Sequence, residues 1–311
     1  MDELKPWDVL GIGTAAVDDL LLVERFPVPD SKVDILESYR QGGGQTATAM
    51  AAAARQGART AFCCRLGHDE LSLFTIAELE KEGVNCTSCV QDGEGSPYHS
   101  VIIVDTHERT RTILHSGGNV SPPPEIITRE FINQTRVLFI DDNSGRAGIK
   151  AAGIAHVLGI PVIADVEPNP PAETAELLPL IDHLVIGREI AATLSGKENE
   201  AEMATALCGS VRPCCVVTAG EKGCWYSENG APAVHVPGFR VEVVDTTGCG
   251  DVFHGAYAAA IARGEEIASA VMLANASAAI KATRPGGRMG IPDLVAVRKY
   301  LSGNFNINTE R

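Results

Sequence analysis

The chain offers little that would tie it to a membrane, to nucleic acid or to a disulfide-stapled scaffold. No apolar run approaches the ~20 residues that span a bilayer. The opening Met1-Asp2-Glu3-Leu4-Lys5-Pro6-Trp7 leads into the strand-like Asp8-Val9-Leu10-Gly11-Ile12-Gly13 without the basic and apolar regions of a signal peptide. A cytoplasmic location is therefore expected. Positive charge is scarce: 26 Lys and Arg stand against 40 Asp and Glu, for a net charge of −14, and no basic stripe suits a nucleic acid or an anionic membrane. That deficit leaves ATP open, because backbone dipoles and a few cations can build a local anion site. The 9 cysteines are odd in number, and a chain of 311 residues needs no staples, so a reducing compartment is expected. Cys86-Thr87-Ser88-Cys89 has metal or redox spacing, but no second pair or His cluster completes a zinc site. Internal repeats and low-complexity tails are also missing.

What is present is an alternation of strand and helix patterns. The composition, 45% hydrophobic and 21% charged, is that of an ordinary globular protein. Val137-Leu138-Phe139-Ile140-Asp141, Pro161-Val162-Ile163-Ala164-Asp165, His183-Leu184-Val185-Ile186 and Cys215-Val216-Val217-Thr218 are nearly continuous apolar runs, suited to parallel strands covered on both faces. Helical patterns occupy 146–158, 201–208 and 267–282, so the expected class is α/β, a mainly parallel sheet between helical layers. Two stretches break the rhythm. Residues 20–41 and 98–115 alternate polar and apolar side chains about turn signals at Pro27-Val28-Pro29-Asp30 and Thr106-His107-Glu108-Arg109. They predict antiparallel hairpins sharing one small sheet, a natural lid over a water-sensitive reaction. The expected division is 1–19, 42–97 and 116–311 for the main domain, with 20–41 and 98–115 for the lid.

The most telling run is Asp245-Thr246-Thr247-Gly248-Cys249-Gly250-Asp251-Val252-Phe253-His254-Gly255. Before it, Phe239-Arg240-Val241-Glu242-Val243-Val244 alternates like a strand; after it, Ala256-Tyr257-Ala258-Ala259-Ala260-Ile261-Ala262 reads as helix. Gly248 and Gly250 allow close approach of a ligand, and free N–H groups at a helix start suit a phosphate. Asp251, in the first turn, could take a proton from an attacking hydroxyl or simply cap the helix. The whole run resembles the second signature of the PfkB family of carbohydrate kinases, the ribokinase-like kinases, with Cys249 where the family usually has Ala. The resemblance implies Asp251 as catalytic base and the Gly248-Cys249-Gly250 backbone as an anion hole for the transferred phosphoryl group. It also implies a three-layer α/β/α domain, a β-sheet lid that often serves as a dimer surface, and ATP with Mg²⁺ as cofactors.

At the acceptor end, Gly13-Thr14-Ala15-Ala16-Val17-Asp18-Asp19 places carboxylates just past the first strand, where open α/β sheets bind ligands. A carboxylate there can accept from two vicinal sugar hydroxyls, and the family pattern selects Asp18 over Asp19. Gln41-Gly42-Gly43-Gly44 before the Ala-rich helix resembles the first signature, a glycine loop that contacts the sugar. Thr48 stands where that signature usually has Asn. Lys32, Arg109, Arg111 and Asn119 lie in or beside the lid segments and could meet an anionic or polyhydroxylated substrate. The wording of Gly42-Gly43-Gly44 and of 283–293 is most like the branch that includes sulfofructose kinase. Asn143 replaces the Arg that branch carries after the mid-chain strand, which removes a charged fork for a sulfonate.

At the nucleotide end, Thr218, Gly220 and Gly223 in Val216-Val217-Thr218-Ala219-Gly220-Glu221-Lys222-Gly223 resemble the segment beside the ATP phosphates, although a tight hairpin would look alike. Asn275 matches a position near the adenine. Asp245, Thr247 and Gly287 resemble a monovalent-cation site, possible ground for K⁺ dependence. The usual Asn-x-x-Glu of the family is absent at 187–190, which leaves Asp165 and Glu167 to act through water on Mg²⁺, Glu167 being the ligand expected. The expected reaction is transfer of the γ-phosphoryl group of ATP to a primary hydroxyl of a small sugar of ribose, ketohexose or sulfofructose type, by a homodimer joined through the lid. A nucleoside kinase of the same fold and a non-catalytic sugar-binding regulator are the alternatives. A dinucleotide enzyme is disfavoured because Gly11-Ile12-Gly13 lacks the third glycine of the fingerprint.

Overall fold

The computed structural model describes residues 5–108, 110–209 and 212–308, the side chains of 304–308 excepted. Arg109, among the lid cations, lies outside the described residues. The apolar runs form an eight-stranded sheet in the spatial order Val234–Val236, Cys224–Glu228, Cys214–Thr218, His183–Gly187, Val162–Asp165, Thr135–Asp141, Trp7–Ile12, Thr60–Cys63. All neighbours pair in parallel except the first two strands in that order, which are antiparallel additions. Alternate side chains of each strand reach opposite faces. Val9, Val137, Phe139, Val185 and Val216 join one core with the helices Gln45–Arg55, Cys249–Ala262 and Ile267–Lys281. Leu10, Leu138, Ile140, Ile186 and Val217 join the other with Gly145–Leu158 and Glu200–Cys208. The result is the expected three-layer α/β/α arrangement.

On the first face, helix 45–55 buries Ala47, Ala49, Ala51, Ala52 and Ala53 completely, and its small side chains let helix 249–262 come very close. A Cβ on Gly255 would stand 2.1 Å from Ala49 O, so this glycine is required by helix–helix contact. Helix 249–262 is thereby registered against the helix that follows the glycine run.

The two hairpins share one four-stranded sheet in the order Ile35–Gly43, Ala16–Val23, Tyr98–Asp105, Thr110–Ser116. Each hairpin is antiparallel, and they join through parallel pairing of the two inner strands. This sheet reaches further toward the core than the hydrophobic pattern indicated. Asp18, expected in a loop past the first strand, lies within a lid strand, and Gly42 and Gly43 end the neighbouring strand, paired with Val17 and Ala16. Glycines carry no polar/apolar alternation, which is why the pattern faded before the strand did.

Phe239–Val244 is not a strand. The segment is irregular, bends at Val244 and is unpaired in any sheet, with Val243 and Val244 each 59% exposed. Its alternation of β-branched residues favours extended backbone, yet the sheet edge ends at Val234–Val236 and the lid edge is elsewhere. Its start is held by Phe239 edge-on to Tyr300, ring centroids 5.4 Å apart, and its end by Val244 and Asp245 N–H donation to Ala282 O. Among the described residues no helix is long and apolar enough to cross a membrane. All nine cysteines are free thiols.

Candidate active site

The strand Trp7–Ile12 has Thr60–Cys63 on one side and Thr135–Asp141 on the other, so the strand order reverses at their carboxyl ends, where open α/β sheets bind ligands. A cleft of about 560 Å³ opens there beneath the lid. Asp18, Gly43, Gly44 and Thr48 line one part of it; Thr247, Gly248, Gly250, Asp251 and Gly287 line another; Asn143 and Glu167 complete its wall.

Gly248 caps the helix Cys249–Ala262 at φ +74, and a Cβ on it would stand 2.7 Å from Gly287 O, so both conformation and space call for glycine. The Cys249 amide is spent on Thr246 O at 3.2 Å, and the first intrahelical bond runs from Val252 N to Gly248 O at 2.9 Å. The amides of Gly250 and Asp251 therefore belong to the open first turn, where the helix dipole favours an anion. Asp251 itself has its pKa pushed up to about 7, chiefly by burial, then by the charges of Asp165 and Glu167, against the opposing pull of His254 and Arg288. A carboxylate poised near neutrality is matched to general-base work.

Three buried basic side chains surround this turn, and sequence reasoning gave none of them a role. His254, one turn after Gly250, has Nδ1 2.7 Å from Gly250 O and Nε2 2.8 Å from Val185 O, with Asp165 Oδ1 at 3.6 Å. Arg288 is 7% exposed; its Nε donates to Thr48 Oγ1 (3.2 Å) and its Nη2 to Gly43 O (2.8 Å), while Nη1 has no hydrogen-bond partner among the described residues. Burial brings its pKa down to about 10. Lys281 is 0% exposed and donates from Nζ to Asp245 O at 2.9 Å. The available signal was one polar residue in an otherwise small or apolar setting: a His in an Ala-rich helix, a Lys ending another, an Arg within a glycine loop.

At the lid side, Asp19 is committed to Arg40 (2.7 and 3.0 Å) and His99 (2.9 Å). Asp18 faces the cleft, where burial raises its pKa and Ser100 and Arg288 work against that rise. Its carboxylate packs on Gly43, where a Cβ would come within 2.8 Å of Oδ2, and a Cβ on Gly42 would come within 2.4 Å of Arg288 Nη1. The two glycines thus lie between a carboxylate and a guanidinium. Gly44, at φ +90 and 2.6 Å from Thr14 O by the same construction, caps helix 45–55. Asn143 accepts from Tyr98 Oη at 3.3 Å. Arg111 reaches from the lid to Thr247 Oγ1 at 2.9 Å. Lys32 is exposed in the loop between lid strands, and Asn119 is exposed and tied to Glu94 O at 2.8 Å; neither lines the cleft.

The expected nucleotide residues also lie outside that cleft. Cys214–Thr218 and Cys224–Glu228 form a hairpin, the bland alternative for this run. Its turn contains Gly220 (φ +56) and Gly223 (φ +86), the latter pressed against Val236 O. Thr218 Oγ1 makes a long bond to Ile186 O, 3.4 Å. Asn275 donates to Pro237 O at 2.8 Å, which gives it a bracing role for the loop packed on that turn.

Acidic groups crowd around Glu167 behind the cleft wall. Burial with Asp141 and Glu167 raises Asp142 to about 7, and Asp165 is raised well above its usual range by burial, Glu167, Asp141 and Asp142. Such mutual repulsion is what a divalent cation relieves, so Mg²⁺ fits this region. Among the described residues no three His, Cys, Asp or Glu side chains converge to hold an ion by themselves, which suits an ion carried on a triphosphate with its own waters. A monovalent cation at Asp245, Thr247 and Gly287 does not fit. Asp245 O faces the Lys281 ammonium, and the Asp245 carboxylate accepts from Thr247 N and Gly286 N, each at 2.8 Å.

A doubly covered, mainly parallel sheet with a β lid, closing over a Gly-rich helix start and a carboxylate, defines the class of lidded α/β phosphotransferases. The chain belongs to the pfkB family carbohydrate kinases, whose family model matches residues 8–294. These are phosphotransferases with an alcohol acceptor. It is 28% identical over 302 residues to a ribokinase of Haemophilus influenzae, covering 93% of this chain and 97% of that protein. It is likewise 28% identical over 316 residues to a bifunctional ribokinase/ribose-5-phosphate isomerase A of Fructilactobacillus sanfranciscensis; 97% of this chain aligns, but it spans only 57% of that longer protein. The crystal structure of a ribokinase from Thermotoga maritima superposes with a TM-score of 0.82 at 25% identity, over 95% of this chain and 99% of that one.

Proposed function

We propose that the protein transfers the γ-phosphoryl group of ATP to a primary hydroxyl of a small sugar or sugar derivative. The observation that carries this reading is one cleft holding Asp251, with its pKa near 7 at an open helix start, together with Asp18, Gly43 and Gly44. The relatives named as ribokinases support the same substrate class. Asp18 and the main chain of Gly43 orient the sugar hydroxyls. Asp251 takes the proton as the hydroxyl oxygen bonds to phosphorus and the bond to the β-phosphate oxygen breaks, releasing ADP. Amides of Gly248 and Gly250 stabilise the charge on the phosphoryl oxygens. Mg²⁺ on the triphosphate would neutralise the β and γ oxygens, with Glu167 holding it through water. The adenosine is placed along the Thr218–Gly223 turn and the loop that Asn275 braces. Asn143 is neutral and bonded to Tyr98, which favours a hydroxyl over a sulfonate there.

The four-stranded sheet is read as the lid, with Arg111 clasping Thr247 when it is down. Its edge strands carry exposed Ile35 and Leu36 on one side and Leu114 on the other, a surface suited to a homodimer. Sedimentation should then give twice the chain mass, and Leu36→Glu with Leu114→Glu should give the monomer; a monomeric wild type contradicts the lid dimer. The free thiols agree with a reducing, cytoplasmic setting.

The pH profile tests the base. Asp251 works only when deprotonated, so kcat/KM for the acceptor should rise with pH up to about 7 and level off above it. A profile flat across the neutral range would count against the assignment. A panel of ribose, fructose, sulfofructose, ketohexose phosphates and 2-keto-3-deoxygluconate, read by ADP release, identifies the acceptor.

A further inference from the structure

The helix Ile267–Lys281 is buried along Ala270, Val271, Ala274, Ala276 and Ser277 and ends on a lysine with no exposure at all. A wholly buried ammonium is costly unless oxygens surround it. Here Nζ donates to Asp245 O at 2.9 Å, on the first residue of the run that leads to Gly248 and Asp251. The same junction is laced by Val244 N and Asp245 N to Ala282 O (2.8 and 3.1 Å) and by Gly286 N and Thr247 N to the Asp245 carboxylate. The carbonyl and carboxylate oxygens of Asp245 and the Ala282 carbonyl are therefore engaged within the chain. Burial lowers the Lys281 pKa while Cys249, Asp245 and Asp251 hold its charge in place.

We propose that the Lys281 ammonium is a built-in monovalent cation that fixes the Asp245–Gly250 turn, so that the enzyme needs no K⁺. The proposal rests on the kinase reading of that turn. Lys281 is a positioning residue: it touches neither substrate nor phosphate, and acts by tying the anion-hole segment to the end of helix 267–281 and by placing positive charge beneath it. A free cation sharing Asp245 O would sit against this ammonium and be repelled.

The test compares wild type, Lys281→Ala and Lys281→Met in buffers whose only monovalent cation is K⁺, or a bulky organic cation. Acceptor-dependent ADP release by wild type should change less than about twofold with K⁺, and K⁺ should leave its thermal unfolding midpoint unmoved. Lys281→Ala without K⁺ should lose roughly tenfold or more, as loss of a charge-assisted hydrogen bond does. Added K⁺ or methylammonium should recover part of that activity and raise the unfolding midpoint of this variant, whereas Lys281→Met, with the cavity filled, should gain neither. Strong K⁺ activation or stabilisation of wild type overturns the proposal, as does Lys281→Met with wild-type kinetics. A wild type inactive on every acceptor, by contrast, would defeat the kinase reading, and its response to K⁺ in thermal unfolding would still decide whether the cation site is filled.

Discussion

Asp251→Asn lowers kcat by a factor of about 10² to 10⁴, the usual worth of a general base, while ATP binding and the unfolding midpoint stay near wild type. The amide keeps the shape of the carboxyl group and its place in the first turn of helix 249–262, but it cannot accept the hydroxyl proton. The environment reinforces the expectation: burial and the neighbouring carboxylates Asp165 and Glu167 bring the pKa to about 7, where a base is both available and strong. The residual activity of the variant should also lose the rise toward pH 7. Steady-state kinetics beside isothermal titration with ATP separates the two effects; kcat within a few-fold of wild type would remove Asp251 from the chemistry.

Arg288→Met should lower kcat/KM for the acceptor by a factor on the order of 10², with KM for ATP little changed. Two bonds from a charged donor are lost inside the protein, to Gly43 O and Thr48 Oγ1, and each such bond is worth about 1.5–3 kcal/mol. The loss falls on the acceptor because those bonds seat the glycine strand against which Asp18 packs. Asp18 and Asp251 both lose a cation that favours their ionised forms, so the rising limb of the pH profile should move to higher pH. Arg288→Lys should recover little, since one point charge cannot hold two acceptors in the fixed geometry of a guanidinium. Equal loss in both substrates would mean general damage rather than misplacement of the acceptor strand.

Much of this molecule was legible in local order. The runs at 137–141, 161–165, 183–186 and 215–218 are buried strands because continuous β-branched and apolar sequence has no other use in an α/β core. The lid hairpins announced themselves by alternation about turns, and the run 245–255 by its two glycines and carboxylate. The failures have a common cause. Arg288 meets Gly43 across 245 residues and Lys281 meets Asp245 across 36, and no local periodicity encodes such pairings. Phe239–Val244 carries a strand's pattern but finds no edge to pair with, and the bond from Asn275 to Pro237 O, across 38 residues, is likewise one that no local pattern encodes.

The central claim is that Asp18 and Asp251 serve one acceptor whose primary hydroxyl attacks ATP. It is tested most directly by following the labelled γ-phosphate of ATP in the presence of the best acceptor from the panel and of its analogue deoxygenated at the primary carbon. The account predicts label on the acceptor at that carbon's oxygen, none on the analogue, and no release of labelled phosphate without acceptor. Label transferred equally to the deoxy analogue, or ADP formed with the acceptor left unlabelled, would contradict it.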